Sequence, residues 1–131
     1  MSILYNISIQ IFVIAARISA LFNNKAKLWR KGRKYIFKQL SEAIKEEQNI
    51  VWFHCASLGE FEQGKPIIET YKQKYPKHRI LLTFFSPSGY EIRKNYKGAN
   101  WVFYLPADTK ANAKQFISIV KPLKVVFVKY E

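Results

Sequence analysis

Four short apolar runs recur between residues 48 and 131, at 50–54, 79–85, 101–105 and 124–128. A turn and a helical pattern follow each of the first three. Ile50 to Phe53 are β-branched or aromatic, and Ile80, Leu81, Leu82, Phe84 and Phe85 are too continuous for a half-exposed strand. Helices are predicted at about 63–74, 89–95 and 109–120. Pro66 suits only the first turn of a helix, so 60–65 are expected to be irregular. Strands that alternate with helices require a parallel sheet with right-handed crossovers. The expected fold class is therefore α/β.

In such a sheet the loops after the strands gather at one edge, where open α/β folds place their crevices. Glu60, Ser86, Ser88, Gly89, Asp108 and Glu131 fall along that edge. The turn Ala56-Ser57-Leu58-Gly59 is built of small residues and delivers Glu60 to a helix start. Two readings of Glu60 stand. It caps the helix, or, partly desolvated, it serves as a general base. Ser86-Pro87-Ser88-Gly89 offers backbone N–H groups and hydroxyls to an anion, or is an ordinary Ser-Pro turn with Ser88 as the helix cap. The chain has no G-x-G-x-x-G and no P-loop. No cofactor is expected. His54 and His78 lack metal-ligand spacing, so no metal is expected either. Cys55 is the sole cysteine and ends an apolar run; it reads as a small hydrophobe in a reducing compartment.

Residues 3–22 are mostly apolar, about the length of a bilayer crossing. Ile3, Ile7, Ile11, Ile14, Ile18 and Leu21 share one helical stripe, while Asn6, Gln10, Val13 and Arg17 form another. The polar stripe favours a helix that lies in the membrane interface. A cleavable signal peptide fits less well, since a basic n-region is missing. Lys25, Lys27, Arg30, Lys31, Arg33, Lys34 and Lys38 follow, interleaved with Trp29, Tyr35 and Phe37, and no acidic residue precedes Glu42. A helix is expected from about 33 to 47. Such a run beside an apolar helix attracts anionic headgroups. Arg17, Lys25, Lys27, Trp29, Arg30, Lys31, Arg33 and Lys34 are the expected lipid contacts. The formal net charge of +13 over 131 residues agrees with an anionic partner. An RNA-binding arm is the competing reading; the apolar helix upstream favours an anionic membrane, and nucleic acid is not the expected partner.

These residues resemble a known family. Trp52-Phe53-His54-Cys55-Ala56-Ser57-Leu58-Gly59-Glu60 resembles the strand and Ser-hydrophobic-Gly-Glu motif of the 3-deoxy-D-manno-octulosonic acid (Kdo) transferases, which add Kdo to lipid A precursors. Leu82-Thr83-Phe84-Phe85-Ser86-Pro87-Ser88-Gly89-Tyr90-Glu91 is similar to the family's Thr-rich strand and Pro-Thr-Gly-x-Glu. Tyr104-Leu105-Pro106-Ala107-Asp108 resembles its Tyr-Leu-Pro-x-Asp, and residues 116–131 resemble its closing Pro-x-x-Val-x-x-x-x-x-Glu segment. The apolar helix and the stretch Trp29-Arg30-Lys31-Gly32-Arg33 sit where the family keeps its membrane anchor.

The resemblance implies the N-terminal, Rossmann-like half of an inverting GT-B glycosyltransferase at the cytoplasmic face of the bacterial inner membrane. In that family the N-terminal domain binds the lipid A precursor and the C-terminal domain binds CMP-Kdo. It implies Glu60 as the catalytic base. Ser57, Gly59, Ser86, Ser88, Gly89 and Glu131 are then implied as substrate-binding residues. The expected organisation is 1–24 as a membrane helix, 25–47 as a basic helical segment and 48–131 as the acceptor-binding domain. Lys129 stands where many members carry an acidic residue, so that position is assigned no role. With the donor domain absent, this piece alone is expected to transfer nothing. The alternative is a non-catalytic basic α/β module on anionic membrane or nucleic acid.

Overall fold

A computed structural model describes residues 2–19 and 23–129. The elements in chain order are α1 (Ser2–Ser19), α2 (Asn24–Arg33), α3 (Ile36–Ala43), β1 (Ile50–Cys55), α4 (Leu58–Lys74) and β2 (Arg79–Phe84). There follow α5 (Pro87–Arg93), β3 (Trp101–Tyr104), α6 (Lys110–Val120) and β4 (Lys124–Val128). The four strands form one parallel sheet in the order β3-β2-β1-β4. That is the order of the first four strands of a doubly wound dinucleotide-type fold, and it reverses direction between β1 and β4. The α/β expectation holds, and the Rossmann-like expectation is consistent with it.

Alternation along β1 sorts its side chains to the two faces. Ile50 and Trp52 join Leu81 and Tyr104 beneath α3 and α6, where Ile36, Leu40, Ile44, Phe116 and Val120 complete the core. Val51, Phe53 and Cys55 join Ile80, Leu82 and Phe84 beneath Phe61 and Ile68 of α4. Both faces are thus covered, which is why the strands read as continuous apolar runs. Val51, Phe53, Ile80, Leu81 and Leu82 are all inaccessible to solvent.

Two local expectations need correction. First, α4 is continuous through Pro66, not irregular over 60–65. Pro66 lies on the exposed side of the helix, so the carbonyl it leaves unbonded belongs to the exposed residue Glu62 and faces the solvent side. Second, the helix expected over 33–47 is shorter: α2 ends at Arg33, and only α3, Ile36–Ala43, lies within that span. Tyr35 breaks α2 from α3, and α3 stops at Ala43 ahead of two residues in the left-handed region, Glu46 (φ 62°) and Asn49 (φ 57°). Among the described residues no helix is long and apolar enough to cross a membrane.

The α1 helix packs with Asn6, Ile9, Val13 and Ala16 inward. Asn6 and Val13 are half-buried, and Asn6 Oδ1 accepts the Lys110 N–H at 3.3 Å. Ile3, Ile7, Ile11, Ile14 and Ile18 instead face solvent, each at least 50% exposed. An amphipathic helix normally buries its apolar stripe. Here that stripe is the outer surface.

Candidate active site

The C-terminal edge of the sheet is built by reciprocal caps. Ser57 is the N-cap of α4, in an extended conformation, and its hydroxyl accepts the Glu60 N–H at 3.4 Å. Glu60 reaches back, and its Oε2 accepts the Ala56 N–H at 2.5 Å. The arrangement resembles a capping box shifted by one residue. It fixes the half-buried carboxylate by one oxygen. Glu60 Oε1 has no hydrogen bond among the described residues, and no lysine or arginine pairs with the carboxylate there. Both readings of Glu60 are thus physically compatible, since capping engages one oxygen and leaves the other.

The second turn is tied to the first. The Ser86 N–H donates to the Ala56 carbonyl at 2.9 Å. Ser86, not Ser88, caps α5, its hydroxyl accepting the Gly89 N–H at 3.3 Å. Gly89 is buried, and a Cβ there would stand 2.5 Å from Phe84 and 3.2 Å from the Leu58 nitrogen. Only glycine lets the two turns approach this closely. Among the residues expected to bind substrate, Ser57 and Ser86 therefore have hydroxyls engaged in caps. Gly59 and Ser88 are exposed at the rim. Glu131 lies outside the described residues.

His54 was not singled out as a site residue, yet the Glu60 carboxylate is near enough to raise its proton affinity. Thr83 is fully buried, and its Oγ1 accepts the Trp52 Nε1–H at 2.7 Å and lies 2.8 Å from His54 Nδ1. The indole N–H can only donate. The Thr83 hydroxyl keeps both a proton and a second lone pair for Nδ1, so it pairs with either neutral tautomer of His54. Burial lowers the imidazole's proton affinity, with Glu60 opposing, so the neutral ring is favoured. The signal for this network was present in period-two spacing: Trp52 and His54 share a face, and Thr83 is the lone polar residue of its strand core. Cys55 is fully buried, and burial pushes its thiol up to about 12, so it is an inert small hydrophobe.

Two residues expected at the lipid surface turn inward. Trp29 is only 7% exposed and packs edge-on against Phe12 and Phe85. Arg33 is half-buried and donates to three carbonyls, those of Leu105 (2.7 Å), Phe85 (2.8 Å) and Trp29 (3.2 Å). Its guanidinium lies 4.1 Å from the Trp29 ring centroid and 4.9 Å from that of Tyr104. Burial lowers its proton affinity to about 9, still above physiological pH, so the charge persists. Gly32 permits this approach, since a Cβ there would meet the Tyr104 ring at 2.1 Å. Lys25, Lys27, Arg30, Lys31, Lys34 and Arg17 remain exposed. Asp108, also on the edge, accepts the Tyr5 hydroxyl and so ties the β3–α6 turn to α1.

Between α1, α2 and that turn runs a groove of about 580 Å³. On the other side of the turn is an apolar hollow of about 230 Å³ lined by Trp52, Phe116, Ile117 and Phe127.

Comparison with known proteins agrees with this architecture. The family described as 3-deoxy-D-manno-octulosonic-acid transferase (kdotransferase) matches residues 31–131. A 3-deoxy-D-manno-octulosonic acid transferase of Aquifex aeolicus is 36% identical over 95 residues, which is 69% of this chain and 25% of that protein. The proteins of the same name from Haemophilus influenzae and Chlamydia muridarum are 29% and 33% identical, over 62% and 64% of this chain. The chain spans about a quarter of the first relative and about a fifth of the other two.

Proposed function

The chain belongs to the 3-deoxy-D-manno-octulosonic-acid transferase family, and from that premise we propose that it is the acceptor-side part of an inverting, GT-B-type Kdo transferase of lipopolysaccharide biosynthesis. The acceptor is a lipid A precursor. The donor is CMP-Kdo, bound by a second domain. The place of action is the cytoplasmic face of the bacterial inner membrane. Glu60 is the base in this reading, and residues 48–131 are the acceptor-binding domain, carried to the membrane by residues 1–24 and 25–47.

The observation that carries the reading is the Glu60 carboxylate, held by the Ala56 N–H through Oε2 with Oε1 unengaged among the described residues. It stands after β1, beside the point where strand order reverses, the usual crevice of such sheets. The step it supports is simple. An acceptor hydroxyl at Oε1 gives up its proton as its oxygen bonds to the donor's anomeric carbon. The bond from that carbon to the phosphate oxygen breaks on the opposite side, and its electron pair leaves with the cytidylate. Inversion follows.

The outward apolar stripe of α1 supports the membrane part. Five isoleucines in one exposed line form the kind of patch that marks a docking surface. Exposed cations on α2 add attraction to anionic headgroups. The proposal is tested by joining this chain to the part of the Aquifex aeolicus relative that it does not cover. The chimera should move Kdo from CMP-Kdo to a lipid A precursor. A chimera that folds and binds CMP-Kdo but transfers nothing would leave only a basic membrane-binding module.

A further inference from the structure

Asp108 stands apart from most carboxylates of this chain. Lysine and arginine number 22 against nine acidic residues, so cationic partners are plentiful. Glu42, Glu47, Glu62, Glu69 and Glu91 each pair with one. Asp108 pairs with none among the described residues, and accepts instead from the neutral Tyr5 hydroxyl. It borders the apolar hollow of about 230 Å³ between the β3–α6 turn and β4, whose described lining includes no lysine or arginine. The groove on the far side of the same turn carries Arg17, Arg30, Arg33 and Lys34. One turn thus separates a cationic concavity from one whose charge is negative.

Three rings wall the hollow: Trp52 from β1, Phe116 from α6 and Phe127 from β4. The Phe116 and Phe127 centroids lie 4.6 Å and 5.3 Å from that of Trp52, with the rings inclined to it at 55° and 73°. Rings so inclined turn their faces in different directions and make walls, not one flat platform. Leu105, Pro106 and Ile117 add aliphatic surface. The polar groups here mostly accept. The Trp52 Nε1–H is held by Thr83, and Asn112 spends an amide hydrogen on the Ala107 carbonyl. Asn112 Oδ1 and the Asp108 carboxylate remain.

We propose that this hollow binds a quaternary ammonium group. Aromatic faces attract a cation, tryptophan most strongly, and Asp108 supplies the opposite charge. The aliphatic walls select the kind of cation. A primary ammonium is compact and strongly hydrated, and shedding water against carbon costs it free energy. N-methyl groups gain from the same walls. A sugar ring fits less well, because its hydroxyls need donors as well as acceptors. An anion meets Asp108. The occupant takes no part in the transfer step, although Trp52 lies on the strand that leads to the Glu60 turn.

The test uses the whole chain without any donor. Choline, ethanolamine, glucose and the neutral alcohol in which carbon replaces choline's nitrogen are each titrated. Binding is read from the indole resonance of Trp52, with Trp101, which is outside the hollow, as internal reference. Choline should shift Trp52 and leave Trp101 in place, and the other three should bind more weakly. Phe127→Leu keeps an apolar side chain but removes the ring, and Asp108→Asn removes the charge. Each should weaken choline about three- to thirtyfold. Tyr5→Phe cuts the same tether that Asp108→Asn weakens, yet keeps the carboxylate, so it should bind choline at least as well as wild type. Phe127 is 55% exposed, so its replacement leaves the fold intact even where Asp108→Asn lowers the melting temperature. Co-sedimentation with phosphatidylglycerol vesicles, with and without added phosphatidylcholine, separates the two sources of the group. An Asp108-dependent gain on phosphatidylcholine assigns the site to a lipid headgroup, and its absence assigns it to a soluble ligand. Choline that binds no better than its neutral counterpart or glucose, or that binds Phe127→Leu as well as wild type, would overturn the proposal. Because no transfer is measured, failure here leaves the role of Glu60 standing.

Discussion

Thr83 is the residue on which the edge network turns. It serves a buried indole N–H and a half-buried imidazole with one hydroxyl. Thr83→Val keeps the shape and leaves the buried Trp52 N–H without its partner. Unfolding in denaturant should show a loss of about 1–3 kcal/mol, restored in large part by Thr83→Ser. His54 adds a pH dependence whose sign follows from its lowered proton affinity. Below the ordinary value of 6.5 the unfolded chain takes up a proton that the buried ring refuses. Stability therefore falls as pH drops through that value, and the decline levels off once the folded ring protonates too. Melting temperatures between pH 8 and 5 should show a shallower decline in His54→Gln. Such pairings were hard to read in advance, because Thr83 and His54 are 29 residues apart and only strand register brings them together.

At the scale of elements, glycine decides how α2 meets the sheet. Gly32→Ala would raise helix propensity by up to about 1 kcal/mol. The new methyl, however, would fall within the Tyr104 ring, which is buried and packed at a tilt against Tyr90, ring centroids 4.1 Å apart. Overpacking of a fixed ring costs about 1–3 kcal/mol, so the net effect on chemical denaturation should be destabilising. The strands were legible because both faces of the sheet are covered, which makes their apolar runs continuous. The turns at 56–59 and 86–89 were legible from their small residues and proline, but their caps were not: Ser88 reads as the cap of α5, and Ser86 fills that place. Arg33 was not: it sits in a run of cations that look alike, and its inward turn depends on the space that Gly32 leaves beside a ring 72 residues later. Pro66 was misread because its position on the solvent side of α4 becomes known only from packing.

For the molecule as a whole, α1 presents its apolar stripe outward, and this too departs from what an amphipathic pattern ordinarily means. The sequence shows the stripe but not which side the body will take; Tyr5 to Asp108 and Asn6 to Lys110 settle it. Ile7→Asn/Ile11→Asn should leave the melting temperature nearly unchanged, since both side chains are already exposed. Co-sedimentation with anionic vesicles should fall several-fold; undiminished vesicle binding would remove α1 from the docking surface. The central claim concerns Glu60, and the kcat of the chimera with Glu60→Gln tests it most directly. The account predicts a fall of about 10²–10⁴-fold in kcat with the acceptor KM nearly unchanged. A variant that keeps the wild-type kcat would contradict it.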